Sequence, residues 1–419
     1  MKQNILPLRQ QANIRNQWLR QRLDQLMPEL MARENFDMWL VIAREYNEDP
    51  IIMTLLPEPE MAARRRTILV FARNNDGRVD RLTLSRYGQP GFYESGWNPD
   101  EETQQQCLAR IVRQRDPQRI GLNFSPTYAF GDGLSLHEYQ RLGEALGSEW
   151  MNRTASAERL CVGWLERRIE PELIVYPGIV TIGHAIIAEA FSSSVIHPGL
   201  TTTEDVVWWM RQTMQDMGLH AWFQPTIEIQ APGQPFDPGY SEESEKRKVI
   251  LPGDLLHCDM GFIYLGLATD QQQHGYVLKP GETEAPEGLK AALTAANRVQ
   301  EIHLAAMQIA LTGNEVLAAV RQQAEAESIA ATIYSHPLGY HGHAAGPTIG
   351  LWDQQGGVPG RGDYPLFDDT AYSIELNIQQ PVPEWENQIV RITLEEDAVL
   401  SGGKMRWLAG RQTALHLIG

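Results

Sequence analysis

The sequence predicts two domains, an α/β domain over residues 1–172 followed by an α+β domain over residues 173–419. In the first part, apolar strand-like runs alternate with helical stretches, which is typical of α/β domains. In the second part, long helices precede short apolar runs separated by Gly and Pro, which favours a curved sheet. A chain of 419 residues is also too long for one compact core.

The composition is ordinary for a soluble globular protein, with 42% hydrophobic and 21% charged residues. Asp and Glu total 53 against 36 Lys and Arg, and the net charge of −17 argues against nucleic acid or an anionic membrane as partner. The cysteines are too few and scattered for a disulfide framework or a cysteine zinc site: Cys107, Cys161 and Cys258. We see no signal peptide and no run of about 18 apolar residues that would span a membrane, so we expect a cytoplasmic protein.

Local patterns predict the elements of the first domain. Apolar residues recur at helical spacing from Trp18 to Met31, and Pro28 kinks or divides this helix. Three apolar runs are predicted to be strands, at 38–42, 67–71 and 119–123.

In the second domain, the sequence predicts a long helix over 177–193 and another that begins at Thr202 or Thr203. Two more helices are predicted over 287–311 and 313–327, followed by sheet from His336 onward. A Pro- and Gly-rich insert at 232–239 and a charge run at 242–248 are predicted to be solvated loops.

Two aspartates interrupt apolar runs of the second domain. Asp259 lies within 255–261, next to His257 on the same strand face, and Asp270 follows eleven positions later. A carboxylate inside an apolar strand is costly unless it is paired or holds a metal ion. On a hairpin, the two carboxylates would face each other across one ladder; the alternative is a pair of turn or cap aspartates.

A histidine-rich segment lies among glycines at 336–346. His341 and His343 are two positions apart and would share one strand face, and His336 precedes them. Neutral imidazole is the commonest metal ligand, and glycines let the backbone approach a ligand closely. The cluster therefore favours a functional site over isolated structural histidines.

Two later strand-like runs carry acids at their centres, Glu375 in 372–377 and the pair Glu395 and Glu396 in 391–400. Two Asp, one His and two Glu suit two divalent cations, such as manganese, cobalt, zinc or iron. A pair of such ions holds a bridging hydroxide as nucleophile and polarises a carbonyl group.

The order of these motifs resembles that of the pita-bread metallopeptidases, which include methionine aminopeptidase, aminopeptidase P, prolidase and creatinase. The motifs are Asp259, Asp270, His343 in Gly-His-x-x-Gly, Glu375, and Glu395 in Leu-Glu-Glu-Asp-x-Val-Leu. The match covers about 175–419. The N-terminal α/β domain, with its helix followed by the strand segment 36–50, resembles the creatinase/prolidase N-terminal domain, so the resemblance spans nearly the whole chain. The resemblance implies an α/β N-terminal domain and an α+β pita-bread catalytic domain.

The resemblance also implies the ligands of the two ions: Asp259, Asp270, His343, Glu375 and Glu395. In the family, the second Asp and the last Glu bridge both metals, and the residue that matches Glu375 also acts as general base. Two alternatives stay open, His341 instead of His343 and Glu396 instead of Glu395. The ungapped Gly-His-x-x-Gly motif favours His343, and the spacing to Ser401 favours Glu395.

The chain departs from the family at three positions. Family peptidases have a His about 17 residues before the first Asp, where this chain reads Pro-Gly-Tyr-Ser-Glu-Glu at 238–243. Family peptidases have a second His seven positions after the metal His, where this chain has Gly350. The Arg of the family's Asp-x-Thr-Arg motif is replaced by Gln273. Three other histidines are candidates for the missing roles, His336 and His341 as catalytic groups and His274 as a substrate-binding group. Trp352 is a further candidate for substrate binding, and the alternative for it is packing at the domain edge.

These observations lead to one main hypothesis and two alternatives. The main hypothesis is a di-metal hydrolase of the Xaa-Pro aminopeptidase/prolidase type that cleaves the N-terminal residue of short peptides. The alternatives are a creatinase-like hydrolase of a small non-peptide amide and a catalytically silent pita-bread protein. The family resemblance implies two divalent ions per chain, with manganese as first choice, and a homodimer.

Overall fold

The computed structural model describes residues 5–234 and 248–419. Contacts divide the described chain into two compact units, Leu6–Leu165 and Glu166–Gly419. The predicted domain boundary after residue 172 therefore falls within the second unit. Most of the predicted loops at 232–239 and 242–248 lies outside the described residues.

The first unit is an α/β domain built on a mixed sheet, as the sequence predicts. Its strands are β1 (Met38–Arg44), β2 (Arg66–Arg73), β3 (Val79–Thr83), β4 (Glu94–Ser95), β5 (Ile120–Leu122) and β6 (Thr154–Ser156). They are ordered β4-β3-β2-β1-β5-β6, with β1 antiparallel to β2 and parallel to β5. The three predicted strands are thereby confirmed as β1, β2 and β5.

Helices cover this sheet and supply much of its core. They are α1 (Leu8–Gln21), α2 (Met27–Arg33), α3 (Ile52–Leu55), α4 (Gln104–Arg115), α5 (Leu136–Leu146), α6 (Ser148–Met151) and α7 (Glu158–Glu166). A π-helical turn at Arg22–Leu26 joins α1 to α2, so the chain stays helical through the predicted break at Pro28. Pro28 lacks an N–H and cannot donate the usual i to i−4 hydrogen bond. In the π-helical turn just before it, the Met27 N–H donates to the carbonyl of Arg22, five residues back.

Within the part of the chain that the structure describes, the second unit contains a large sheet of nine strands and a small ribbon of three. Its strands are β7 (His220–Ala221), β8 (Thr226–Gln230), β9 (Leu255–Met260), β10 (Phe262–Tyr264), β11 (Leu267–Ala268), β12 (Gln271–Val277), β13 (Ala331–Ile333), β14 (His336–Leu338), β15 (Thr370–Val382), β16 (Gln388–Ser401), β17 (Lys404–Trp407) and β18 (His416–Ile418). The large sheet runs β13-β15-β16-β12-β9-β8, with β14 on β15, β17 on β16 and β18 on β12. The ribbon has the order β11-β10-β7.

Within the described residues, four α-helices accompany these strands: α8 (Glu170–Ala190), α9 (Thr203–Met217), α10 (Glu287–Ala306) and α11 (Gly313–Ala326). The predicted start of α8 at residue 177 is wrong, because Pro171 lies in its first turn, where no N–H is needed, and the helix then accommodates Pro177. The predicted end of α10 at residue 311 is also wrong, since the helix stops at Ala306. The predicted start of α9 is confirmed, with Thr202 as N-cap in a capping box with Asp205.

Helix α8 is long and apolar enough to cross a membrane by length and composition, contrary to the sequence-based expectation. Half of its most apolar 18-residue window is buried within the protein. The Val180 carbonyl accepts a hydrogen bond from Gln271 on β12, so the helix packs on the large sheet. A core helix of a soluble protein passes the same test of length and composition, and α8 alone does not indicate a membrane protein.

Helix α10 packs on one face of the central strands β15 and β16. Leu289 and Val299 of the helix join Ile374, Leu376 and Leu394 of the strands in one buried cluster. Because side chains alternate along a strand, the residues between these apolar positions point to the opposite face. That face carries the candidate site.

Candidate metal centre

Four neighbouring strands place polar residues in one row across the large sheet. The row runs from Asp259 on β9 through Gln272 on β12 and Glu395 on β16 to Glu375 on β15, with each adjacent pair in direct register. The two aspartates do not face each other across one ladder, as a simple hairpin would require. The intervening segment forms its own turn and ribbon strands β10 and β11, so Asp259 pairs with Gln272 and Asp270 precedes β12.

A second set of polar residues lies two positions along the same strands. His336 on β14 pairs with Ser373 on β15, and Ser373 pairs with Asp397 on β16. The backbone N–H of Asp270 donates to Asp397 Oδ1 at 3.2 Å. The Ser373 hydroxyl donates to Glu395 Oε1, which links this set to the first row.

Candidate ligand atoms converge where the two sets meet. Three groups of residues each offer ligand atoms within 4.8 Å of one another: Asp259, Asp270 and Glu395; His336, Glu375 and Glu395; and Asp270, His336 and His343. All five residues that the family resemblance implies as ligands therefore belong to these groups. His336, which was predicted as a catalytic group, belongs to two of them.

The ring of His336 is oriented by its backbone surroundings. Its Nδ1 lies 3.1 Å from the carbonyl oxygen of Pro337, an arrangement in which Nδ1 donates and Nε2 is left as an acceptor. Nε2 lies 3.6 Å from both Asp270 Oδ2 and Glu395 Oε1. A neutral imidazole in this orientation could bind a cation that the two carboxylates also bind, and that cation would remove the repulsion between the lone pair and the carboxylates.

The other two histidines of the segment occupy different surroundings. The exposed ring of His343 lies 4.7 Å from that of His336 and 5.1 Å from that of Trp222, between ring centroids. A Cβ at Gly342 would lie 2.2 Å from the Trp222 ring, so this close approach requires glycine. His341 is absent from the ligand groups of the described residues, and burial together with the charge of Arg168 lowers its pKa to about 4.

Strand alternation separates the two neighbouring acids of β16. Glu395 faces the candidate ligands, and Glu396 points to the other side of the sheet. There Glu396 Oε2 lies 2.6 Å from His184 Nε2, and its Oε1 accepts hydrogen bonds from Gln273 and from the Gln412 amide. The structure therefore brings Glu395, not Glu396, into the cluster.

Burial and mutual repulsion perturb these acids strongly. Burial and the charge of Glu395 raise the pKa of Asp259, Asp270 and Glu375 well above their usual values. Burial acts in the same direction at Glu395, but interactions with His336, Ser373 and Gln272 outweigh it and lower the pKa of that carboxyl. Crowded carboxyls of this kind are neutralised by protons or by cations.

The donor set fits divalent cations. In the described part of the chain, Asp259 Oδ1 and His336 Nε2 are buried and have no hydrogen-bond partner, which is costly for groups without another ligand. Carboxylate oxygens with one imidazole suit manganese, cobalt, zinc or iron. These atoms therefore include the donor types that divalent cations prefer, and two of them have lone pairs that accept no hydrogen bond.

Gln272 is a site residue that the sequence analysis missed. Its Nε2 lies 2.6 Å from both Glu375 Oε1 and Glu395 Oε2, and its Oε1 lies 2.9 Å from His257 Nε2. The spacing of two from Asp270 on a strand was the available signal, because it places both side chains on one face. Tyr334 also escaped notice, and its ring lies 5.4 Å from that of His336 and 5.8 Å from that of His343.

The predicted substrate-binding role of His274 is wrong. The ring is fully buried, its Nδ1 lies 3.0 Å from the Leu256 carbonyl oxygen, and its Nε2 accepts from the Thr393 N–H at 3.0 Å. Both ring nitrogens are therefore used by the backbone of neighbouring strands. His274 shares a strand face with Asp270, but it lies four residues further along, roughly 13 Å away.

Trp352 contacts Tyr334, whose ring separates it from the candidate ligands. Its ring centroid is 5.5 Å from that of Tyr334, and the guanidinium carbon of Arg391 lies 5.3 Å from the Trp352 ring centroid. Tyr334 in turn contacts His336 and His343. This position is compatible with the predicted contact to a substrate side chain.

The buried histidines predict an acid-sensitive fold. Burial lowers the pKa of both His274 and His303 to about 3, against about 6.5 for an unfolded chain. At pH values between these two pKa values, the unfolded state binds a proton that the folded state does not. The free energy of unfolding therefore decreases as the pH falls below about 6.5. Each group lowers the free energy of unfolding by up to about 1.4 kcal/mol per pH unit.

Urea unfolding of metal-free protein at pH 7 and pH 5 checks this expectation. The variant His303→Gln serves as the control, because it removes one titrating group and should weaken the pH dependence. An equal pH dependence in wild type and variant would contradict the assignment.

The fold and the site define a class, that of proteins in which a creatinase-type N-terminal domain precedes, in the sequence, a pita-bread domain with a carboxylate-rich candidate metal site. The family model described as metallopeptidase family M24 matches residues 179–401, which is just over half of the chain. The chain belongs to this metal-dependent peptidase family. Among curated proteins, no significant match is found.

Solved structures agree with the pita-bread fold. The X-Pro aminopeptidase from Thermotoga maritima superposes with a TM-score of 0.65 at 16% identity, over 93% of this chain and 99% of that one. The Xaa-Pro dipeptidase from Bacillus anthracis gives 0.60 at 16% identity, over 97% and 99%. The N-terminal domain of the FACT complex subunit SPT16 from chickpea gives 0.52 at 11% identity, over 97% and 99%. At these identities the likeness shows the fold alone, and the fold includes proteins that are not described as peptidases.

Proposed function

We propose that this protein is a peptidase of the Xaa-Pro aminopeptidase/prolidase type that uses two divalent cations to hydrolyse the N-terminal peptide bond of short peptides. The observation that carries the proposal is the convergence of Asp259, Asp270, His336 and Glu375 on Glu395. Four acids in one buried cluster would repel one another strongly without cations. Manganese is the first cation to test.

We assign His336 as the histidine ligand and His343 as the group that faces the substrate. The assignment rests on Nε2 of His336, which lies 3.6 Å from two of the carboxylates. It also restores a family spacing, because His343 lies seven positions after His336. The departure noted at Gly350 arises only if His343 is counted as the ligand.

The cations, when bound, act as Lewis acids that polarise the scissile carbonyl and lower the pKa of water. Glu375 takes a proton from the attacking water and passes it to the leaving amine. The exposed ring of His343 donates a hydrogen bond to the oxygen on which negative charge develops. Tyr334 and Trp352 pack against the substrate side chains.

The test is hydrolysis of a panel of dipeptides and tripeptides, with and without proline at the second position. The protein is stripped with EDTA and assayed alone and after addition of Mn²⁺, Co²⁺ or Zn²⁺. We expect release of the N-terminal residue only with metal. Hydrolysis that survives chelation would favour a metal-independent amide hydrolase, and metal-loaded protein that cleaves no peptide would favour a silent binding protein.

A further inference from the structure

Trp222 directly follows strand β7 of the ribbon, and its indole packs against the ring of His343. The two ring centroids are 5.1 Å apart, and the ring planes are inclined at 72°. Aromatic rings attract each other in this edge-to-face arrangement. His343 is the residue that the proposed function places beside the developing negative charge, so the group that holds its ring bears on catalysis.

Two glycines make room for the indole. The three atoms nearest to a Cβ at Gly342 would all belong to the Trp222 indole, at distances of 2.2, 2.3 and 2.6 Å. A Cβ at Gly261 would lie 2.3 Å from the indole nitrogen and 2.4 Å from the Thr269 carbonyl oxygen. Neither glycine has a positive φ that would by itself favour glycine. The position of the indole therefore accounts for glycine at 342 and contributes to glycine at 261.

A hydrogen bond orients the indole. Its N–H donates to the Thr269 carbonyl oxygen at 2.9 Å. Thr269 is fully buried, and its own N–H donates to the Phe262 carbonyl oxygen at 2.9 Å, so the acceptor is held by the ribbon. Rotation of the indole would deprive a buried carbonyl of this donor, which is costly. Close packing and hydrogen bonding therefore favour one orientation of the ring.

Three aromatic neighbours surround the His343 ring. The centroid distances are 4.7 Å to His336, 5.1 Å to Trp222 and 5.8 Å to Tyr334. His336 is the proposed metal ligand, and Tyr334 is the most distant of the three. Trp222 is therefore the close neighbour of His343 that does not itself belong to the candidate ligands.

We propose that Trp222 is a positioning residue of the reaction, which holds the His343 ring in the orientation that faces the substrate. This inference rests on the proposed function, because it assigns Trp222 a role only through His343. A tryptophan that merely filled space would affect the site in the same way whether or not His343 is present. A positioning residue has no further effect once the group that it holds has been removed.

A double-mutant cycle on the full-length, manganese-loaded protein provides the test. Trp222→Leu is introduced into the wild type and into His343→Ala, and kcat and KM are measured with the peptide of the panel that the wild type cleaves fastest. Manganese content by mass spectrometry and Tm by calorimetry are measured on the same preparations. Trp208→Leu is the matched control, because it makes the same exchange at a tryptophan of α9 that is 59% exposed.

We expect Trp222→Leu to lower kcat at least about tenfold and to change KM by less than about threefold, because a misplaced hydrogen-bond donor loses much of its effect. The manganese content should be unchanged. In the His343→Ala background, the same exchange should change kcat by less than about twofold. Trp208→Leu should behave like wild type. If Trp222→Leu does not fold, Gly342→Ala takes its place in the cycle, because the added Cβ must displace the indole.

An equal loss of kcat in both backgrounds, or wild-type kcat in Trp222→Leu, would overturn this inference and leave the proposed function intact. Metal-loaded wild type that cleaves no peptide of the panel would overturn the proposed function, and this inference with it.

Discussion

The variant Glu395→Gln is expected to lose bound metal and peptidase activity together. Glu395 belongs to two of the three groups of candidate ligand atoms and is in register with both Gln272 and Glu375. Glutamine keeps the shape of the side chain but provides one neutral oxygen instead of a carboxylate. Because metal catalysis supplies several kcal/mol of transition-state stabilisation, we expect kcat/KM to fall at least about a thousandfold.

The neighbouring variant Glu396→Gln is the matched control for this prediction. Glu396 lies on the other face of β16, 2.6 Å from His184 Nε2. Its exchange should lower the free energy of unfolding by about 1–3 kcal/mol and leave the metal content unchanged. Metal content by mass spectrometry and Tm by calorimetry separate the two cases. If Glu396→Gln lost the metal and Glu395→Gln retained it, Glu396 and not Glu395 would face the candidate ligands. The register of β16 against β15 would then be shifted by one residue.

The second large effect is expected when His336 and His343 are exchanged separately for alanine. His336→Ala removes a proposed metal ligand, so the affinity for Mn²⁺ should fall at least about a hundredfold, with loss of activity. His343→Ala should keep the metal and lower kcat by about a hundredfold to a thousandfold, because it removes a hydrogen-bond donor to the developing negative charge.

His341→Ala is the control for this pair, since His341 is absent from the ligand groups of the described residues. It should change neither metal affinity nor kcat by more than a few-fold. Manganese titration and steady-state kinetics on the same preparations provide both readouts. Loss of metal from His343→Ala but not from His336→Ala would return the ligand role to His343.

The sequence predicted the fold class and the principal strands. Apolar runs such as 38–42 are local signals, and a capping threonine such as Thr202 marks a helix start whatever the tertiary context. Helix ends were predicted less well. Pro177 was read as the start of α8, yet proline within a helix is tolerated when packing on the sheet compensates for the lost hydrogen bond.

The sequence indicated the acidic residues of the candidate site but not its neutral and aromatic residues. An acid inside an apolar strand is conspicuous because burying a charge is costly, and this singled out Asp259, Asp270, Glu375 and Glu395. Gln272 carries no charge and Tyr334 resembles any core aromatic, so neither produced a signal. His274 was predicted to bind substrate on its residue type alone. Residue type does not distinguish a histidine whose two ring nitrogens bond to the backbone from one that binds a ligand.

Which acids are available, and on which face of its strand each one lies, follows from the order of the residues, because strand alternation is a local property. Which of these faces meet depends on long-range strand pairing. The register between β12 and β16 placed Gln272, instead of a second aspartate, between Asp259 and Glu395. The pairing of β14 with β15 brought His336 to the carboxylates ahead of the better motif match, His343. Register depends on contacts between residues that are distant in the chain, and a single sequence contains no direct record of them.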